Sequence, residues 1–124
     1  METLKFALLT GVGSFLGGAS RYLVSVVAQF ALRTGYPVST FVVNAVGSLL
    51  IGIVLALWER DWLTDTERIF LATGILGGFT TFSSFSQEVL LMIRNGQFIV
   101  GFAYVVLSVV VGIALCAAGY YLAK

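Results

Sequence analysis

Apolar residues along this chain fall into four runs of membrane-spanning length, separated by short clusters of charge, glycine and proline. The first covers about residues 4–32 and, beyond Lys5 at its start, is interrupted only by Arg21. The second covers 38–58 and holds no charge. The third covers about 66–93, and the fourth, 98–123, is again uncharged. About 20 such residues in a helix cross the roughly 30 Å of hydrocarbon in a bilayer. The pattern predicts an all-α membrane protein in which residues 1–124 form one domain of four transmembrane helices.

Turn chemistry sets the boundaries. Arg33, Gly35 and Pro37 make a short first loop, and Pro37 suits the first turn of the next helix, where a missing N–H is no loss. Glu59–Arg68 is the hydrophilic segment of the chain. Within it Thr64 and Glu67 match a capping box that starts the third helix. Arg94-Asn95-Gly96 stops that helix. The N-terminal METLKFALL has a lysine before apolar residues, as a signal peptide does. No small-residue cleavage site follows, and the apolar pattern continues past Arg21, so the segment is expected to be retained as a span.

Four crossings place both termini and the 59–68 loop on one side, together with Lys5, Arg60, Arg68 and Lys124. The other side carries Arg33 and Arg94, with Arg21 nearer to it. So small a basic bias fits two arrangements, a single orientation or a chain that inserts both ways and pairs with itself antiparallel.

Composition narrows the function. The chain is 59% hydrophobic and 10% charged, with a mean hydropathy of +1.01, which marks an integral membrane protein in contact with lipid. A net charge of +1 without a basic tract gives nucleic acid nothing to bind. The chain has no histidine, which removes the commonest general base and metal ligand. Its one cysteine, Cys116, cannot form an intrachain disulfide and reads as a buried, inert thiol. These absences argue against an enzyme. They also argue against a four-span proton-coupled exporter, which needs a carboxylate in the middle of its first helix, where this chain has none. A structural subunit of a larger complex would explain the packing glycines but not the polar cluster described next.

The third span carries GILGGFTTFSSFSQE, Gly74 to Glu88. At 1.5 Å per residue the span exceeds the hydrocarbon thickness, so it must tilt, protrude or break. Gly77 and Gly78, near its midpoint, are the expected place for a break. Interrupted backbone inside a bilayer survives only where protein or a wet cavity surrounds it, and its freed carbonyls then make an ion site. The competing reading is that the glycines only let helices approach closely. Thr80, Thr81, Ser83, Ser84 and Ser86 crowd the same stretch and favour a polar lining. Phe79, Phe82 and Phe85, spaced by three, drift around one side of a helix. Ring edges would attract an anion and ring faces a cation. Asn44 is an amide in an apolar span, either a donor to an anion or an interhelical hydrogen bond. Tyr104 and Ser108, four apart, share one face of the fourth helix. Arg21 and Glu88 are charges within spans near the same end, either a vestibule lining or an ion pair.

Three segments carry a family resemblance: GGASRY (Gly17–Tyr22), VVNAVGS (Val42–Ser48) and the third-span motif. Together, in this order and across all four spans, they resemble the bacterial fluoride channel family, Fluc or CrcB. The resemblance implies a passive, fluoride-selective channel of the bacterial plasma (inner) membrane that exports cytoplasmic fluoride. It implies an antiparallel, dual-topology homodimer with two pores, a third helix broken at the midplane, and a structural Na⁺ at the dimer centre held by the Gly77 and Thr80 carbonyls. It assigns Phe82, Phe85 and Asn44 to the pore, Tyr104 and Ser108 to a polar track on the fourth helix, and Arg21 to the vestibule. The hydroxyls of Thr81, Ser83 and Ser84 join the fluoride-binding set. Ser39-Thr40, Leu76, Ser84 and Gly112 depart from common family residues, and Gly112 leaves the inner end of the track without a hydroxyl.

Fluoride is small and strongly hydrated, so several close donors must replace its water. Hydroxyls, an amide and aromatic edges do so without a full positive charge, which would hold the anion too tightly for conduction.

Overall fold

The computed structural model describes residues 1–124, and every regular element in it is helical. Helix α1 covers Glu2–Leu32 and ends where Arg33 takes a left-handed conformation, φ 48°. Helix α2 covers Val38–Glu59. Next, α3 runs through residues 65–79 without a stop, but its middle, Ile69–Leu76, is wound as a π-helix. After two extended residues, Thr80 and Thr81, α4 covers Phe82–Arg94. Gly96 turns the chain at φ 76°, and α5 covers Phe98–Ala123. Counting α3 and α4 as one span, four helices are long and apolar enough to cross a membrane. The protein is a multi-pass membrane protein.

The third span starts as the sequence predicts. Thr64 Oγ1 accepts from the Glu67 N–H at 3.1 Å, and Glu67 Oε1 accepts from the Thr64 N–H at 3.0 Å. Both halves of the capping box therefore form and satisfy donors that the first helical turn leaves orphaned.

Two helix pairs organise the fold. Helix α1 lies along α3, and α2 lies along α5. Glycines set both seams. A Cβ added to Gly13 would lie 2.9 Å from Gly74 Cα, and one on Gly17 would run into the Ile75 carbonyl. On the other seam a Cβ on Gly52 would strike the Cys116 carbonyl, and one on Gly119 the Leu49 carbonyl. Lipid is as apolar as leucine, so such helices associate by close backbone contact rather than by hiding hydrophobic side chains.

The accessible surface is 8,035 Å², against about 6,500 Å² for a soluble monomer of this mass. Only 13 of 124 residues are buried, and Val43 is the one large side chain fully enclosed. Phe15, Phe30, Phe102, Ile113 and Leu122 all project outward. A surface so apolar needs lipid or another protein surface over it.

Candidate functional site

The interruption in the third span does not fall at the glycines. Gly77 and Gly78 are helical, and Gly78 packs so tightly on Ser14 of α1 that an added Cβ would lie 2.8 Å from Ser14 Cα. The extended residues are Thr80 (φ −89°, ψ 160°) and Thr81 (φ −150°, ψ 124°). Glycine permits a break but does not impose one, and at Gly78 its use is close approach. The threonines leave the helix because side chains take over the bonds they give up.

That exchange is specific. The Thr81 N–H, four residues beyond Gly77, donates instead to Asn44 Oδ1 at 2.8 Å. The Asn44 amide returns a hydrogen bond from Nδ2 to the Thr81 carbonyl at 3.0 Å. The Ser84 N–H, four beyond Thr80, donates to Thr81 Oγ1 at 3.1 Å, which makes Thr81 the N-cap of α4. Neither the Gly77 nor the Thr80 carbonyl therefore receives the i+4 bond that a continuous helix would supply. Both are left as free acceptors. Gly77 and Thr80 line one recess of about 340 Å³ together with Asn44, Ser48, Thr81 and Phe82.

A second recess, of about 300 Å³, shares Thr81 with the first and is lined by Arg21, Thr40, Ser84, Gln87 and Glu88 among others. Arg21 and Glu88 share it without forming an ion pair. Arg21 Nε donates to the Gly78 carbonyl at 3.1 Å. Glu88 accepts from Thr40 Oγ1 at 2.7 Å and from the Tyr104 hydroxyl at 2.9 Å. Each charge is half-buried and held by polar groups of neighbouring helices, which offset its partial loss of water.

The aromatic stripe is also divided. Phe79 ends α3, whereas Phe82 and Phe85 sit on α4. The Phe82 and Phe85 ring centroids are 5.8 Å apart, and Phe85 lies 5.1 Å from Tyr104, both pairs tilted. Phe82 is 79% exposed, a large ring standing clear of its own chain beside the polar recess.

Of the five hydroxyls expected to line a path, two give their proton to their own backbone. Thr80 Oγ1 donates back to the Leu76 carbonyl and Ser86 Oγ to the Phe82 carbonyl. Thr81 and Ser83 pair at 3.3 Å, and Ser84 faces the second recess. Ser108 stands apart, its Oγ buried and without a hydrogen-bond partner. Thr40 was missed by sequence reading, although its spacing of four from Asn44 puts both on one face of α2.

The sequence pattern of the family described as CrcB-like protein, Camphor Resistance (CrcB), matches residues 8–120. The chain belongs to the CrcB family. Among its CrcB relatives, a protein of Elusimicrobium minutum is 40% identical over 98% of this chain and 92% of its own length. One of Thermus thermophilus is 43% identical over 93% of this chain and 92% of its own. One of Chlorobium phaeobacteroides is 42% identical over 99% and 96% respectively. All three carry the name fluoride-specific ion channel FluC. The CrcB family is a transporter class and not an enzyme class. Fluoride and lipid are thus the partners the family suggests.

Proposed function

We propose that the chain is a passive, fluoride-selective channel of the bacterial inner membrane that lets cytoplasmic fluoride escape. The observation that carries this reading is the Thr80–Thr81 interruption held open by Asn44, with donors and freed carbonyls facing recesses in an otherwise apolar bundle. Such backbone has no reason to persist in lipid unless it handles an ion or packs against more protein. The names of the relatives supply the ion.

In this reading two copies pair antiparallel and form two pores. The exposed Phe82 and the open Asn44 recess are the surface that needs a partner, and the weak basic bias of the loops permits both orientations. The interruption lies at the midplane, where one copy's Gly77 and Thr80 carbonyls can meet those of the other across a two-fold axis. Four hard oxygen ligands suit a Na⁺ ion, which would supply a fixed positive charge that joins the two copies.

Fluoride enters beside Arg21, whose charge attracts it, and gives up water to hydroxyl, amide and aromatic-edge donors. The second Nδ2 hydrogen of Asn44 is not used by Thr81 and is available to the anion. Phe82 and Phe85 present ring edges, Thr81, Ser83 and Ser84 offer hydroxyls, and Tyr104 and Ser108 continue the path along α5. No lysine or arginine sits among these groups, so binding stays weak enough for release. Larger, less strongly hydrated chloride is rejected by width.

Direction is tested in cells. A bacterium disabled for fluoride export and expressing this chain should regain growth in fluoride at acidic pH, where fluoride enters as HF and ionises inside. Cells that stay sensitive with the protein folded in their membrane would refute export.

A further inference from the structure

Besides Ser108 Oγ, one other buried side-chain atom lacks a hydrogen-bond partner, Arg68 Nε. Arg68 lines a cavity of about 420 Å³ whose other walls include Ile51, Thr73 and Cys116. Arg68 is the only charged residue in that lining. Ile51 also lines the Asn44 recess, so the two spaces adjoin. On α5, Tyr104, Ser108, Gly112 and Cys116 follow at intervals of four and share one face, rising about 18 Å from the first to the last. The face of α5 that carries Tyr104 and Ser108 therefore runs on past Gly112 to Cys116 in the wall of the Arg68 cavity, toward the end of the molecule where the termini lie.

The nearby acids are occupied. Asp65 accepts from Trp58 Nε1 at 2.8 Å, and Glu67 is engaged in the capping box. The Arg68 guanidinium lies over the Trp58 ring, 4.4 Å from its centroid. Stacking uses the face of the guanidinium and leaves its N–H edge for an acceptor. A buried, unpaired donor on a cation calls for a ligand or water, and apolar walls concentrate its field.

We infer that Arg68 forms a second anion-attracting mouth, at the opposite end of the conduction path from Arg21, taking a small monovalent anion on its guanidinium edge. This inference rests on the channel reading above. In an antiparallel pair each membrane face would then show the Arg21 end of one protomer and the Arg68 end of its partner. Each path would have a basic group at both ends and none at its centre.

Two readouts test it, one of them independent of fluoride. Cys116, the only cysteine in the chain, is half-buried in the wall of this cavity rather than enclosed as the sequence suggests, and it reports the cavity to thiol reagents. With rates normalised to a free thiol, an anionic methanethiosulfonate should modify wild-type Cys116 faster than a cationic one. Added salt should erase the preference, and Arg68→Gln should abolish it while Arg68→Lys retains it. In parallel, Arg68→Gln should lower fluoride efflux from liposomes roughly threefold to tenfold at low ionic strength, with the deficit closing in an impermeant salt. No anionic preference in the wild type, or a preference unchanged by salt and by Arg68→Gln, would overturn the inference. A preference that depends on Arg68 in a protein that passes no fluoride would uphold the anion site and sink the channel reading instead. If Arg68→Gln does not fold, the wild-type salt dependence decides alone.

Discussion

The two halves of the third span solve different problems with different chemistry. Residues 69–79 are held mainly by backbone contact, with Gly74 and Gly78 set against Gly13 and Ser14 of α1. Residues 80–88 are held by side chains reaching from other helices, Asn44 to Thr81 and Thr40 and Tyr104 to Glu88. The first half can carry the fold because its backbone fits so closely against α1 that no side chain comes between them. The second half can carry function because its polar groups are positioned by bonds that leave some capacity unused. The seam between them, Thr80–Thr81, is where the helix gives up its own hydrogen bonds.

Substitutions should separate the halves. The largest effect belongs to the close-packed half: Gly17→Val drives a side chain into the Ile75 carbonyl and should cost about 3 kcal/mol or more. Size-exclusion chromatography should show loss of folded protein, and a well-folded variant would mean that the seam can open. In the polar half, Asn44→Asp keeps the acceptor for the Thr81 N–H but loses the Nδ2 donor. A carboxylate about 4 Å from a passing anion adds about 4 kcal/mol at an effective dielectric of about 20, so fluoride flux should fall about a thousandfold. Normal conduction would remove Asn44 from the path.

Phe82→Ile and Phe85→Ile should each lower flux roughly threefold to tenfold, the worth of one aromatic-edge contact, while folded yield stays near wild type. Unchanged flux in both would dismiss the ring edges. Ser108→Ala is the mildest. Its hydroxyl has no protein partner to lose, so thermal stability should stay within about 0.5 kcal/mol of wild type, and any deficit should appear in flux alone. A marked loss of stability would give Ser108 a structural partner instead.

The four apolar runs were legible in the sequence because lipid imposes length and hydropathy directly, and the Thr64–Glu67 cap because both partners lie within one turn. What was not legible depended on groups distant in the chain. Gly77-Gly78 drew attention as a break because glycine signals flexibility, yet the break follows the Asn44 side chain, 37 positions before Thr81. The π-helical winding of Ile69–Leu76 leaves no composition signal at all. Arg21 and Glu88 were visible as intramembrane charges, but their partners, a backbone carbonyl and two hydroxyls, were not.

The central claim is that the polar half passes fluoride, and fluoride efflux from liposomes holding the purified protein tests it most directly. Efflux is followed with a fluoride-selective electrode after valinomycin, against a matched chloride control. The account predicts rapid, valinomycin-dependent fluoride release with no chloride release. Folded protein that releases no fluoride, or releases chloride equally well, would contradict it and return the Thr80–Thr81 interruption to a packing device.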